Sequence, residues 1–427
     1  MASGIVDRLI ARGVEIPNPY MVTIGEEVDI DRISTSGVVL FPGCRINGAS
    51  TLIHDRVRIG TEGPVVLEDT RIGAGCELSS GVFKQVVLLG KNRVGPGAHF
   101  REGTILEEAA GAAHTVGLKQ TILFPWVTLG SLINFCDCFM AGGTGPANHS
   151  EVGSSYIHFN FTPNQDKATA SLIGDVPGGV MLDRPPIFLG GQGGMVGPCR
   201  VAYGTVAASG AILRKDVVKP GQILFEAPRR SFMAPNVTGL YRNLKRIVTN
   251  NLLYIANLKA LEAWYHRFRP LFATGPLGPP LVKELQKVLS INMAERVRRM
   301  GQLVEKLPES LSVYRRVMGD GASEKVVAQK TELIERWPQI ADRLLCPAAD
   351  FESGALRERF LSAAEKGRAP GADYLQGVSA LSGQARKFGT AWLQAVVDET
   401  FRAAASGLEK LALEPPRPIP AGSGEVR

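Results

Sequence analysis

A period of six runs through the first half of this chain. Ile24 and Ile30 are six apart, as are Leu40, Ile46 and Leu52, and again Val66, Ile72 and Leu78. Val127, Ile133 and Phe139 continue the spacing, and Leu189, Met195 and Val201 repeat it later. Several of these residues are followed directly by Gly, Asn or Asp, as in Ile24-Gly25, Ile72-Gly73, Ile46-Asn47 and Ile30-Asp31. An α-helix repeats about every 3.6 residues and a half-buried strand about every 2, so neither explains this spacing alone. A flat-sided solenoid does. Each unit supplies one short strand and one tight turn, and three units close a triangular coil whose aliphatic residues point to the axis. The turn positions take glycine or short polar residues because positive φ costs them least. The forty-eight glycines suit such a chain.

From Met21 to Val217 there is room for roughly eleven coils of about eighteen residues. A β-sandwich would need longer alternating runs. The repeat weakens around 96–120 and 140–150, where loops are expected to leave the prism. At 427 residues, more than one domain is expected. Residues 1–20 form a lead segment in which Ile5, Val6, Leu9 and Ile10 precede the helix-stopping Pro17 and Pro19. Residues 21–227 hold the solenoid. After Pro228 the spacing turns helical, with Leu240, Leu244, Ile247, Leu252, Ile255 and Leu258 on one face. Asn236 or Thr238 is available as a cap. An all-α domain is expected over 228–413, with further helices near 281–307, 323–345, 354–366 and 384–413. Residues 414–427, rich in Pro and Gly, are expected to be a disordered tail. The helical part shows no nucleophile motif, metal spacing or phosphate loop, and its Trp264, Tyr265, His266 and Phe268 are expected to pack.

Charge and composition exclude several classes. Asp7 and Arg8 interrupt the N-terminus before any signal-peptide core can form. The longest uncharged run, between Lys119 and Asp137, contains Pro125 and is too short and polar to span a bilayer. Six scattered cysteines fit a reducing cytoplasm. The formal charge is +7, and Arg229–Arg269 carries eight basic residues against Glu262 alone. Such a patch reads first as a solvated helix face, and nucleic acid is not expected as a partner. Cys136-Asp137-Cys138 places two thiols on one side of a strand, but the spacing is not that of a structural zinc site, so no metal is expected. GGQGGMVG (190–197) lacks the final glycine of a phosphate loop and reads as corner turns.

Chemistry concentrates in 148–167, NHSEVGSSYIHFNFTPNQDK. With VTLGSLINFCDC (127–138) and MVGPCRVAYGTVAASGAILRKDV (195–217), this stretch resembles the hexapeptide-repeat acyltransferases. These include the acetyltransferase half of bifunctional UDP-N-acetylglucosamine pyrophosphorylases. The resemblance implies an all-β left-handed parallel β-helix followed by the all-α domain. It also implies acyl transfer from acetyl-CoA to an amino sugar, sugar phosphate or sugar nucleotide, and a homotrimer with sites between neighbours. Asn160 and Phe161 match the family's Asn-Tyr pair in the acceptor region, with Phe for Tyr, and Lys167 matches a later lysine. The backbone at Ala207 and Ala208 matches the surface along which the pantetheine arm lies. Phe135 stands where the family's catalytic histidine belongs. Acyl transfer needs a base near neutral pKa, which phenylalanine is not, so His149 or His158 is the expected substitute. About twenty residues precede the repeat, too few for the family's nucleotidyltransferase domain, so no uridylyl-transfer site is expected. The alternative is a non-catalytic β-helix that binds a sugar nucleotide or scaffolds an assembly.

Overall fold

The computed structural model describes residues 4–226, 233, 235–241, 244–346, 354–367 and 369–415. Most of the expected tail, and Arg229, Arg230 and Arg242 of the basic patch, lie outside them.

Strands of two to four residues stack into three parallel sheets, two of ten strands and one of eight. The first ten-stranded sheet runs from Thr23–Ile24 to Ile212–Leu213, and the second from Val39–Leu40 to Ile223–Leu224. The eight-stranded sheet runs from Leu52–Ile53 to Arg200–Val201. The chain visits the three in rotation, which makes a left-handed parallel solenoid. Each side of a coil sends two residues inward, as with Val38 and Leu40, Cys44 and Ile46, Val57 and Ile59, or Cys76 and Leu78, all buried.

The period of six slips in phase at several turns: Leu52 and Phe139 share the outward, helix-covered register of Arg71 in their sheet. Val65 and Leu67 face the core and Val66 faces outward, because the turn at 61–64 lengthens that coil. The corners also accept more than short polar residues. Arg56, Trp126 and Leu132 hold φ of 53°, 64° and 61°. Such a residue costs roughly 1 kcal/mol in this conformation. Stacking offsets the cost, since Trp126 N–H donates to Glu108 O at 3.2 Å and Leu132 N–H to His114 O at 3.1 Å. The region 96–120, expected to bulge, stays regular. Its core changes size rather than path, with Phe83 and Phe100 rings 5.2 Å apart and small Ala110 and Ala112 in nearby coils. Residues 140–150 do leave the prism, as a short antiparallel hairpin of Gly143–Gly145 and Asn148–His149.

Helix α1 (Gly4–Ala11) packs beside the first coil, and α2 (Val176–Gly179) sits in a corner excursion. The helical region follows as α3 (Leu244–Arg267), α4 (Gly278–Glu305), α5 (Leu307–Met318), α6 (Glu324–Leu345), α7 (Gly354–Gly367), α8 (Tyr374–Ser379) and α9 (Gly383–Ala405). Helix α3 is its centre, buried on nearly every side from Asn250 to Leu261 and packed on α4 and α9. Trp264 stacks within 4.3 Å of Phe268 and donates its Nε1–H to Tyr374 at 3.0 Å, so the aromatic cluster is core.

Helices α3 and α4 lie over the eight-stranded sheet. That sheet is therefore buried on both faces, and its strands carry adjacent apolar pairs: Leu52-Ile53, Val87-Leu88, Ile105-Leu106 and Ile122-Leu123. Buried amides on the helices satisfy prism backbone left open at the corners. Asn251 Nδ2 donates to Ala168 O and Asn292 Nδ2 to Gly103 O, both at 2.9 Å, while Asn257 Oδ1 accepts from Val176 N–H at 2.9 Å.

Glu107, fully enclosed at this junction, accepts from Tyr265 Oη–H at 2.6 Å and lies 3.5 Å from Arg269, beside Glu108. Burial outweighs Arg269 and pushes its carboxyl from 4.5 to about 7. Between those values the folded chain keeps a proton that the unfolded chain releases. Glu107 therefore disfavours folding increasingly as pH rises from 4.5 to about 7. Glu107→Gln keeps the acceptor for Tyr265 and removes the titration. Thermal unfolding should show the variant gaining on the wild type at pH 8 and not at pH 4.5. An equal difference at both would remove Glu107 as the cause.

Candidate functional site

The polar cluster sits on one edge of the prism. Strand Asn134–Cys136 of the first ten-stranded sheet turns at Asp137 (φ 61°) into Cys138–Met140 of the eight-stranded sheet. One coil later Ile157–Phe159 leads through the loop 160–170 into Ser171–Ile173 on the same edge. Asp137 is the hub. Its Oδ1 lies 2.6 Å from Nη2 of Arg296, which reaches down from α4, and its Oδ2 accepts from Asn160 Nδ2 at 3.2 Å. The Asp137 and Arg296 side chains are 4% and 3% exposed.

His158 faces the prism interior, one coil beyond Phe135 and one before Met195. Its Nε2 is 2.8 Å from Ser171 Oγ, which also accepts from Cys199 N–H at 3.0 Å. Burial pushes the imidazole down to about 4 against the pull of nearby Asp137, so it is neutral at physiological pH. Phe135 is buried too, with its ring 5.9 Å from Tyr156. The position assigned to the missing base therefore points into the core, and the residues flanking it outward are Asn134 and Cys136. The Cys136 thiol is raised by burial and then by Asp137, partly countered by Arg101 and Lys167, so it is not a ready thiolate. Two buried nitrogens at this edge, Nε and Nη1 of Arg296, have no hydrogen-bond partner among the described residues. Native structures leave few such groups, and polar binding sites are where they gather.

The loop 160–170 is clamped by the helical region. Asp166 accepts from Thr162 Oγ1–H and from Tyr241 Oη–H, each at 2.7 Å, and Asn164 Oδ1 accepts from Gly239 N–H at 3.0 Å. Lys306 of α5's N-cap donates to the Asn164 carbonyl. Phe161 is 67% exposed, and Asn160 and Lys167 are half-buried.

Asp137, His158, Asn160 and Lys167 thus share one edge, and His149 does not. Its hairpin leaves the corner between the eight-stranded and second ten-stranded sheets. There Nδ1 lies 2.9 Å from the Pro146 carbonyl. A carbonyl can only accept, so Nδ1 carries the proton and Nε2 the lone pair. Ala207 faces the core, and the Ala208 N–H and carbonyl bond to Leu224 O at 2.9 Å and Ala211 N–H at 3.2 Å. The backbone expected to meet a pantetheine arm is thus already paired. Cys136 and Cys138 end one strand and begin the next across a corner, rather than sharing one side of a strand. Among the described residues no cluster of three or more His, Cys, Asp or Glu is placed to hold a metal ion, and no helix is long and apolar enough to cross a membrane. Sequence reasoning missed Asp137 and Arg296: Asp137 enters it only as the residue between two cysteines and the end of an uncharged run, and Arg296 not at all.

No family model matches the chain. Curated relatives do. The bifunctional protein GlmU of Clavibacter sepedonicus is 26% identical over 231 residues, 54% of this chain and 41% of that protein. GlmU of Desulfitobacterium hafniense is 27% identical over 213 residues, 50% and 42% respectively. GlmU of Thermoanaerobacter pseudethanolicus is 26% identical over 210 residues, 49% and 40%. The solenoid is GlmU-like. The likeness covers about half of this chain and less than half of each GlmU.

Proposed function

We propose that the protein is an acyltransferase of the sugar-nucleotide type, with acetyl-CoA as donor and an amino-sugar phosphate or sugar nucleotide as acceptor. The GlmU likeness over the solenoid supports the reaction class, and the gathering of Asp137, Asn160 and Lys167 on one edge carries the choice of site. Bound acetyl-CoA would supply a thioester carbonyl whose thiol leaves when the acceptor attacks. Lys167 would hold a phosphate, with Asn160 orienting the acceptor against Asp137. Because Ala208 is already paired, the donor's apolar arm would lie on the outward side chains Phe188, Val206 and Ile223 of the second ten-stranded sheet. His149 is the base in this reading: its Nε2 takes the acceptor's proton while Nδ1–H stays on Pro146. His149 and Lys167 leave different corners, so the complete site joins two chains of a homotrimer. His158 holds the Asp137 edge in place.

A non-catalytic sugar-nucleotide binder is the second reading, favoured by the burial of His158 and by the separation of His149 from Lys167. Thiol release from acetyl-CoA with glucosamine 1-phosphate and a panel of amino sugars separates the two. His149→Ala should lower release by about a hundredfold or more, the usual size of a lost general base. Release equal to the uncatalysed background with every acceptor would leave only the binder. A loss in His158→Ala alone, with the fold intact, would move the base to the Asp137 edge.

A further inference from the structure

A parallel stack has to end, and each end leaves a row of backbone groups that a further coil would have paired. At the N-terminal end the second ten-stranded sheet is closed by Glu15. Its N–H donates to Val38 O at 3.0 Å, and its carbonyl accepts from Leu40 N–H at 2.9 Å. At the C-terminal end the first ten-stranded sheet is closed by side chains. Glu226 Oε2 accepts from Ile212 N–H at 2.6 Å, and Arg246 Nη2 donates to the Arg214 carbonyl at 3.3 Å. Beside Val217, the last rung of the eight-stranded sheet, Asn250 of α3 donates to Asp216 Oδ1 at 3.2 Å.

The second ten-stranded sheet has no such cover over its last strand, Ile223–Leu224. The carbonyls of Gln222 and Leu224 accept from Val206 and Ala208 N–H at 2.8 and 2.9 Å, on the stack side. The alternate residues, Ile223 and Phe225, aim their N–H and carbonyl groups away from the stack, where none of the four has a partner among the described residues. Their side chains are 63% and 73% exposed. The strand carries neither a proline nor a charge to blunt its edge.

Charge selects what could pair there. Asp216 is taken by Arg200 at 3.0 Å and Glu226 by Arg214 at 2.8 Å. Lys215 and Lys219 of the same coil are exposed and have no acidic partner among the described residues. A second copy of the chain would bring the same lysines to the contact, whereas an acidic segment would neutralise them.

We propose that this edge receives an extended acidic segment of another protein, added as a further strand of the sheet. Its backbone would pair with the N–H and carbonyl groups of Ile223 and Phe225, and alternate side chains would lie against those two residues. Its acidic residues would meet Lys219, with Lys215 adding to the field. The donor arm of the acyl-transfer reading would lie on the face of the same sheet, so the two share only Ile223, and neither depends on the other.

Fluorescence anisotropy of a labelled peptide, Asp-Glu-Val-Thr-Val-Thr-Val-Asp-Glu, titrated with the full chain tests it. Binding should saturate. A peptide with Lys at the acidic positions should bind at least about tenfold more weakly, because it sets like charge against like. N-methylation of the valine amides in one peptide and of the threonine amides in another should differ. One should abolish binding and the other leave it, since only one edge of an added strand pairs. Phe225→Pro removes an N–H that the fold does not use and should abolish binding, whereas Phe225→Ala keeps it and should only weaken binding. Lys219→Glu should weaken it about tenfold. The proposal falls if the acidic peptide does not bind saturably, if the basic one binds as well, or if both methylated peptides bind alike. It falls too if Phe225→Pro and Lys219→Glu both bind as the wild type does. Sedimentation that shows the wild-type assembly halving in Phe225→Pro would make the occupant a second copy, and would also overturn it.

Discussion

Replacing Arg296 by methionine should cost the fold about 3–5 kcal/mol, the usual penalty for stranding one member of a buried ion pair. Asp137 is 4% exposed and takes its 2.6 Å contact from Arg296. Without that guanidinium the carboxylate keeps Asn160 alone, at 3.2 Å, in a place that water does not reach. The loss therefore comes from the charge left behind more than from the contact removed. Arg296→Met with Asp137→Asn should recover most of it, since the amide is neutral and still accepts from Asn160. Denaturant unfolding of both variants checks this. If the double variant is as unstable as the single one, the pair is not what Arg296 contributes.

Gly81→Ala should be nearly as damaging, at about 3 kcal/mol by the measure of overpacked cores. Gly81 has φ of +140°, and a Cβ there would lie 2.1 Å from the Ala98 carbonyl oxygen. Neighbouring coils stand about 4.8 Å apart along the stack, so neither strand can retreat without opening its own ladder. Gly145→Ala is the control. Its Cβ would meet nothing within 4 Å, and the change should stay within about 0.5 kcal/mol. Comparable losses in both would place the cost in glycine's general freedom rather than in coil spacing.

The solenoid could be read because its core repeats: Leu40 and Ile46, and again Leu189, Met195 and Val201, are buried toward the axis as their spacing demands. Spacing fails wherever a turn changes length, which is why Val66 was assigned to a core that Leu67 occupies. The side on which the helices dock was also written in the sequence, as the pairs Val87-Leu88, Ile105-Leu106 and Ile122-Leu123, but a period of six registers one residue of each pair. The site was harder. Composition pointed to 148–167, yet His149 and His158 differ by a turn of the prism: one is on an outward hairpin and the other in the core. Asp137 and Arg296 are 159 positions apart in the numbering, and only the docking of α4 brings them together.

In the proposed reaction, acyl transfer uses His149 of one chain and Lys167 of another. Co-expressing His149→Ala and Lys167→Ala chains tests it, because each variant alone lacks half of every site. In randomly mixed trimers about one site in four joins an intact His149 to an intact Lys167, so thiol release should recover to about a quarter of wild type. A mixture as inactive as its parents, or a wild-type chain that is monomeric and still active, would contradict the shared site.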